Sequence, residues 1–379
     1  MPTMRTVRTT VLVLIASAFL LTHQPPGSAA TPDISFSGRG WGHGVGLSQY
    51  GAKAMAADGA TYSGILQRYF TDTSLVPLAG AAAGSFVVSD PTPLWVGLLQ
   101  NQNVVTFTTV GEGARLCFDD PEICVWTIGA GETWRFGPDG FGSCVFHKAL
   151  PVGRYIPVGV AFSCDASVRP LSIQTRLSVP YKARTYGSGT LRFRSSGVAG
   201  KLHVVLETGV ESYLSGLSEV PESWPMAAIE AQVITMRSAT AWEAIDRGPA
   251  ESFDESRRSE CYCNLYDGAP DPVFRGVTGQ DMHPNWVAAA QSTGSLVLHN
   301  TEGLAQGMYS SSSGGYTENY ADVFGGQGYP HLVSVADSAA YSDSADNPHE
   351  SWTAGYNQAT LPGAFGFSWV HDIAVVQHN

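Results

Sequence analysis

The alternating glycines of GRGWGHGVGLSQYGA, residues 38–52, constrain the fold of this 379-residue chain more than any other feature. Five of its first nine residues are glycine, and each costs roughly 0.5–1 kcal/mol relative to alanine inside regular structure. If the stretch is extended, Arg39, Trp41, His43 and Val45 share one face and the opposite face is bare backbone. We therefore expect a flat or extended partner to approach this segment closely.

The charge balance argues against nucleic-acid and nucleotide ligands. The formal net charge is −12, and the sequence has no cluster of Lys and Arg of the kind that neutralises phosphates. The glycine pattern also departs from the phosphate-binding motifs G-x-G-x-x-G and G-x-x-x-x-G-K-[ST], because position 43 is histidine and Lys53 lacks the required setting. We expect neither class of partner.

The N-terminus has the order of regions that is typical of a secretory signal. Basic Arg5 and Arg8 precede an apolar run over 11–21, and small residues end the segment at Ala30. The run is shorter than the ~20 residues of a spanning helix, and the alternative is a retained membrane anchor. The prediction is a signal peptide over residues 1–30, cleaved near Ala30, and an exported, extracellular protein.

Four of the six cysteines suggest local disulfides for an oxidising compartment. Cys117 and Cys124 bracket the acidic turn FDDPEI, and Cys144 and Cys164 flank another loop-rich stretch. Pairing within each of these two couples is the natural expectation for an exported protein.

The last two cysteines, Cys261 and Cys263, are separated by one residue. Such a pair rarely closes a ring with itself, so it bridges elsewhere, stays reduced or binds a metal. Because structural zinc takes four ligands, a lone C-x-C is a weak zinc candidate. No other cofactor is expected.

Three segments follow the signal region. Residues 31–78 hold the glycine stretch and two short helices, with apolar residues at helical spacing around an Asp-Gly breaker. Residues 79–200 read as short β-type runs between turn residues and contain four cysteines, which predicts a sandwich- or barrel-like β-rich domain. Residues 201–379 mix strands and helices. The predicted fold class is α+β.

The third segment opens with LHVVLETGVESYLSGLSEVPESWPMAAIEAQVITMRSATAWEAI. This stretch predicts a strand, a short helix and a break at EVP, since proline disfavours helix in the residue before it. A second helix should begin close to Ser223 and Pro225. Its residues Ile229, Val233 and Met236 recur at helical spacing and predict one buried stripe.

Three stretches together carry a family resemblance: EVPESWPMAAIEAQVITMRSAT, YSSSSGGYTEN and GHGVGLSQYGA. They resemble the sporulation stage II protein D / LytB (SpoIID/LytB) family of exported peptidoglycan-acting proteins, over about 200–352 plus 36–70. In the sporulation protein the glycine-rich stretch follows the SSSGG motif, whereas here it precedes it, as in a circular permutation. We expect residues 31–78 to complete the SpoIID-like domain of residues 201–379 and to fold back onto the region of Glu219.

The resemblance implies a lytic transglycosylase of the cell wall, with peptidoglycan glycan strands as substrate and roles in wall remodelling or sporulation. It places the catalytic glutamate before the Val-Pro of EVP, which is Glu219. One carboxyl then serves as general acid and as general base. Burial near Leu217, Val220 and Trp224 would raise the pKa of Glu219, and the following helix N-terminus would oppose this. The alternative is that Glu219 only complements that helix end.

The resemblance and the residue types also give substrate-binding candidates. Aromatic rings in this set are suited to stacking on sugar faces, and the hydroxyls of the serine run are suited to bonding sugar or backbone. The histidine of GHG is a candidate proton shuttle or metal ligand, or it hydrogen-bonds in neutral form inside a packed loop. The arginine of the second helix lies near its polar side, where a solvated charge is the usual explanation, and the resemblance makes it a candidate substrate or structural contact. The candidates are Arg39, Trp41, His43, Gln49, Tyr50, Trp224, Arg237, Ser312, Ser313, Tyr316 and Thr317.

Two other functions stay open at this point. The LytB side of the family implies a non-catalytic wall-binding protein that enhances a cell-wall amidase, which would then be its partner. A scaffold or adhesion protein built on the β-rich segment is the third interpretation.

Overall fold

The computed structural model describes residues 34–187 and 189–357, so the predicted signal peptide and its cleavage near Ala30 lie outside the described residues. The strands are β1 Ile34–Gly38, β2 Leu47–Ser48, β3 Ser74–Pro77, β4 Leu94–Gln102, β5 Val105–Val110, β6 Ala114–Asp119, β7 Glu122–Ile128, β8 Thr133–Pro138, β9 Cys144–Ala149, β10 Tyr155–Phe162, β11 Ala166–Pro170, β12 Arg176–Val179, β13 Arg184–Gly187, β14 Gly189–Ser195, β15 Leu202–Thr208, β16 Leu265–Tyr266, β17 Leu296–Asn300, β18 Gly303–Leu304, β19 Tyr309–Ser310 and β20 Trp352–Tyr356.

The helices alternate with these strands and confirm the α+β class. They are α1 Gln49–Ala57, α2 Tyr62–Tyr69, α3 Leu78–Ala81, α4 Phe86–Ser89, α5 Val210–Ser215, α6 Met226–Arg247, α7 Glu255–Glu260, α8 Gly276–Met282, α9 Pro284–Ser292 and α10 Tyr320–Phe324. Across residues 34–187 and 189–357, none of them combines the length and the apolar character that a membrane-spanning helix needs.

Contacts divide the described chain into two compact units. The smaller unit includes residues 34–37 and 353–357 and holds most of β1 and β20, which pair with each other. The larger unit, Gly38–Trp352, contains the other strands and all the helices.

Two open sheets form the β-rich part of the larger unit. One has the strand order β10-β9-β8-β5-β12-β13, and the other has the order β16-β4-β15-β14-β11-β6-β7. Phenylalanines from both sheets meet between them; the ring centroids of Phe136 and Phe193 are 4.7 Å apart, and those of Phe118 and Phe146 are 5.5 Å apart. The β-rich part is therefore a sandwich, and no closed barrel forms within the described residues.

The seven-stranded sheet joins the two predicted segments on either side of residue 200. Strand β15 pairs with β14, which precedes it, and with β4, which lies about a hundred residues earlier in the chain. Because β4 is covered on both faces, its first six residues are all buried. One continuous sheet thus connects the sandwich to the helical part that carries the candidate site.

Helix α6 is the centre of that helical part. It packs against α1, α2, α9 and β17, and it begins after Pro225, close to the predicted start. The predicted stripe of Ile229, Val233 and Met236 is buried. The two short helices predicted before residue 78 are α1 and α2, and both have a side-chain cap from the preceding Ser48 or Thr61.

The cysteines confirm two predictions and overturn a third. Cys117–Cys124 and Cys144–Cys164 are disulfide-bonded as expected. Cys261 and Cys263 are also bonded to each other, so the expectation that they would not pair was wrong. Tyr262, the residue between them, has a φ of +52°, and this left-handed turn holds the two Cα atoms 5.2 Å apart, within the range of a disulfide. The pair is therefore not a zinc ligand here.

Candidate functional site

The glycine-rich segment is a chain of left-handed turns. Gly40, Gly42, Gly44 and Gly46 all have positive φ, from +75° to +105°, a conformation that glycine adopts readily and other residues rarely do. The extended interpretation, with four side chains on one face, is therefore wrong. Trp41 is 63% exposed, whereas the side chain of Val45 is buried.

The partner that approaches these glycines is the serine-rich segment of the same chain, residues 308–313. A Cβ at Gly46 would stand 2.2 Å from the carbonyl oxygen of Met308, so no larger residue fits there. Backbone hydrogen bonds join the two segments: Trp41 N–H donates to Ser312 O at 2.8 Å, and β2 pairs with β19 in parallel. The glycines thus let two backbones interlock beside the start of α1.

Glu219 lies in the loop between α5 and α6 and is half-buried. Burial raises the pKa of its carboxyl group, while a hydrogen bond from Tyr309 and the charge of Arg275 act to lower it. Burial also raises the pKa of the Tyr309 hydroxyl, with Glu219 adding to the effect, so this hydroxyl is a donor to the carboxylate at neutral pH. The result is a carboxyl group that keeps its proton to higher pH than a free glutamate.

The glycine-rich segment does fold back onto this region, as predicted. Gln49 Nε2 is 3.4 Å from the backbone oxygen of Glu219 and 3.4 Å from Gln232 Oε1. His43 bonds the backbone of Tyr309, whose side chain bonds Glu219. Tyr309 therefore bridges His43 and Glu219, which lie about 180 residues apart in the sequence.

His43 has the surroundings of a neutral imidazole. Its Nδ1 accepts a hydrogen bond from Val45 N–H at 3.0 Å, and burial lowers the pKa of the ring. Of the alternatives considered for His43, neutral hydrogen bonding inside a packed loop is the arrangement in the structure.

Aromatic rings run from the Glu219 loop to the glycine-rich segment. The ring of Tyr50 is 5.1 Å from that of Trp224 and 5.9 Å from that of His349, and His349 stacks on Trp41 at 5.3 Å. His349 was not among the sequence candidates, because it lies in the polar run SDSADNPHESW, which has no motif. One face of Trp41 is thus covered by protein, and 63% of the side chain remains exposed.

Several predicted binding residues line one pocket of about 200 Å³. Arg39, Trp41, His43, Ser312 and Tyr316 contribute to its wall. Glu219 is not among the lining residues, and it is linked to this pocket through His43 and the Tyr309 backbone. The structure therefore groups the predicted residues into a pocket on the glycine-rich segment and a carboxyl site beside it.

The hydroxyls of the serine-rich segment bond protein groups. Ser313 Oγ donates to Asp337 at 2.6 Å, Ser312 Oγ donates to a backbone oxygen at 3.2 Å, and Thr317 Oγ1 accepts from Val335 N–H at 2.9 Å. All three residues are buried. Of the two predicted uses for these hydroxyls, bonding within the protein is the one present in the structure.

Of the interpretations of Arg237, a structural contact is the one present in the structure, and a solvated charge is not. The residue is fully buried, and its guanidinium group forms a two-pronged pair with Glu211 at 2.8 and 2.9 Å. It also donates to backbone oxygens of Ala290 and Thr293 at the end of α9, where the helix dipole favours a cation. Arg237 therefore ties α6 to α5 and α9.

The part of the chain that the structure describes contains no set of ligands for a metal ion. No three His, Cys, Asp or Glu side chains are grouped there so as to hold one.

The loop and helix around Glu219 lie in a segment that matches a known family. Residues 198–299 match the family model described as Stage II sporulation protein, named SpoIID. This segment of the chain is similar to the SpoIID domain. The matched range includes β15, α5, α6 and Glu219, and ends before Tyr309 and the serine-rich segment. The family resemblance inferred from the sequence is thereby confirmed.

A second comparison extends this result to a named relative. A stretch of 45 residues is 53% identical to the Amidase enhancer of Bacillus subtilis (strain 168). The match covers 12% of this chain and 6% of that protein. No solved structure is significantly similar to this chain.

Proposed function

We propose that this protein cleaves the glycan strands of peptidoglycan as a lytic transglycosylase, with Glu219 as general acid and base. The observation that carries the proposal is a half-buried carboxyl group of raised pKa inside the segment that matches the SpoIID model, bonded to a half-buried tyrosine. A general acid at neutral pH requires such a shift, and environments that supply it are concentrated at reactive sites. An exported protein at the cell wall is the setting in which this activity would operate.

The two steps of the reaction use the same carboxyl group. Protonated Glu219 donates its proton to the glycosidic oxygen between MurNAc and GlcNAc, and the bond from that oxygen to C1 of MurNAc breaks. The resulting carboxylate then takes the proton from the C6 hydroxyl of the same MurNAc, whose oxygen closes on C1. The product is a 1,6-anhydro sugar, and Glu219 recovers its proton.

Tyr309 acts on this reaction through Glu219. Its hydroxyl donates to the carboxyl group and stays protonated, because burial and the neighbouring carboxylate both raise its pKa. It therefore fixes the orientation of Glu219 and stabilises the carboxylate formed after the first step. Sequence reasoning missed Tyr309 as a site residue, although it is the first residue of the motif YSSSSGGYTEN.

The pocket on the glycine-rich segment supplies a surface for the strand. Trp41 and Tyr316 are 63% and 65% exposed, and both line that pocket. Exposed aromatic faces with polar edges are suited to sugar rings. Trp224, in contrast, is buried against Tyr50, so it supports the site from behind.

Product analysis with Glu219→Gln tests the proposal. Incubation with peptidoglycan or peptide-free glycan strands should give anhydro-ended fragments by mass spectrometry, and the variant should lose about 100- to 10,000-fold in rate. Glu230→Gln is the matched control, because Glu230 lies on α6 and accepts a hydrogen bond from Ser292 at 2.7 Å. Equal product from wild type and Glu219→Gln would refute the assignment.

The name of the relative favours a second candidate, a wall-binding protein that enhances an amidase without cutting glycan. On that hypothesis the protein binds glycan in a pull-down and yields no anhydro ends. Release of stem peptides accelerates only when a cell-wall amidase is added, and Glu219→Gln accelerates it as well as wild type does.

A further inference from the structure

A cavity of about 300 Å³ adjoins the Glu219 site and is distinct from the pocket on the glycine-rich segment. Tyr309, whose hydroxyl bonds Glu219, forms part of its wall, and so does His43. Its volume is at the lower end of the range for small-molecule sites and suits a group about the size of one sugar residue. A strand that passes Glu219 can therefore place one unit there.

The cavity wall contains an unsatisfied amide oxygen. Gln306 is 7% exposed, and its Oε1 has no hydrogen-bond partner within the described residues. The backbone oxygen of the same residue is satisfied, because it is bonded to His331 Nε2 at 2.9 Å. A buried acceptor without a partner is costly to the fold, and the N–H of an amide-bearing ligand supplies the donor that Gln306 Oε1 lacks.

Charge and apolar surface limit what that ligand can be. The carboxylates of Glu243 and Asp271 line the cavity and share one cation, Arg247, at 2.9 and 2.6 Å, which leaves an excess of negative charge. An acidic group is therefore repelled, while hydroxyl donors are accepted. Met236 and Met308 add apolar surface that suits a methyl group.

We propose that this cavity is a subsite for an uncharged N-acetylhexosamine, in which Gln306 pairs with the acetamido group. Its place in the reaction rests on the function proposed above for Glu219. The sugar without an acidic substituent, N-acetylglucosamine, then occupies the cavity, and the lactyl-bearing sugar lies outside it. The acetamido N–H donates to Gln306 Oε1, and the acetyl methyl group lies against the methionines.

Binding of two trisaccharides to the full chain tests this subsite. The probes are the trisaccharide of N-acetylglucosamine and its fully N-deacetylated form, titrated by calorimetry. Gln306→Leu should weaken the acetylated probe roughly tenfold, the equivalent of one or two net hydrogen bonds. Affinity for the deacetylated probe should not fall. Gln174→Leu, at an exposed glutamine of the sandwich, is the matched control.

Thermal unfolding separates a binding role from a structural one. Because the side-chain oxygen of Gln306 is unpaired, Gln306→Leu should leave the Tm unchanged or higher while binding falls. If that variant does not fold, Ala239→Leu provides a second test, since Ala239 lines the cavity on α6 and leucine keeps the helix while filling the space.

The outcomes for the subsite and for the catalytic proposal are separable. Absence of binding by wild type, or equal affinity of wild type and Gln306→Leu for the acetylated probe, overturns the subsite even if anhydro products form. Loss of binding in Gln306→Leu without any cleavage by wild type supports the subsite and overturns the transglycosylase.

Discussion

Two partly buried carboxyl groups in the larger unit have pKa values shifted in opposite directions. Asp119, at the end of β6 in the sandwich, receives Arg169, Arg192 and Arg194 at 2.8–3.0 Å. Burial acts to raise its pKa, but these cations and a serine hydroxyl hold the pKa below its usual value. Glu219 has a neutral tyrosine as its bonded partner, and its pKa is raised. Asp119 is therefore held in its ionised form, whereas Glu219 can donate and accept a proton.

The same contrast extends to how the two regions are built. The sandwich face around Asp119 is joined by side-chain charges across neighbouring strands β6, β11 and β14. The Glu219 region is joined by backbone pairing between the glycine-rich and serine-rich segments. Where backbone pairing holds a site together, few charged side chains are needed near its carboxyl group. The pKa of that group is then free to rise, as a reactive acid requires.

The largest expected effect on stability is at Asp119. Asp119→Asn leaves three arginines without their common anion, and breaking a buried ion pair costs about 3–5 kcal/mol. Urea unfolding should show this loss, and Glu112→Gln, at an exposed glutamate of the same part, should not change the midpoint. A loss below about 1 kcal/mol would show that charge does not hold the sandwich face together.

Gly46→Ala tests the backbone-built region. The substitution combines a φ of +76°, which costs about 1–2 kcal/mol for alanine, with overpacking against Met308, which costs a further 1–3 kcal/mol or so. Gly59→Ala isolates the first contribution, because Gly59 has a φ of +93° and open space around it. Equal destabilisation of the two variants would contradict the interlocked arrangement.

The pH dependence of stability should have opposite signs at the two carboxyl groups. Because the pKa of Glu219 is raised on folding, its contribution is present below the unfolded pKa, about 4.3, and is lost as pH rises through the folded pKa. Glu219→Gln should therefore be more stable than wild type at pH 7, and the difference should vanish below about pH 4. Asp119 contributes stability above the unfolded pKa and loses it as pH falls. A Glu219→Gln variant less stable than wild type at pH 7 would reverse the comparison.

The smallest effect is expected from Tyr309→Phe. The Tyr309 hydrogen bond acts to lower the pKa of Glu219, so its removal should raise that pKa and move the basic limb of the pH–rate profile to higher pH. Tyr181→Phe, at an exposed tyrosine of the sandwich, is the control. An unmoved profile would mean that Tyr309 does not act through Glu219.

Sequence patterns predicted the elements well where one local cause dominates. Helical spacing gave the buried face of α6, and loop-flanking cysteines gave two disulfides. Sequence patterns were insufficient where distant groups decide the outcome. Arg237 lies beside polar positions in sequence, yet Glu211 and the end of α9 bury it. Cys261 and Cys263 pair because of a left-handed turn at Tyr262 that spacing does not reveal.

The sequence by itself determined that glycines 40 to 46 demand an unusual backbone, and that the chain is not helical at EVP, before α6 begins. Both follow from local sterics, because φ > 0 favours glycine and proline restricts the residue before it. Only the tertiary structure decided what meets these features. The serine-rich segment closes on the glycines, and Tyr309 reaches Glu219 from 90 residues away. Burial and long-range hydrogen bonds set the pKa of Glu219, and neither property is local to the chain.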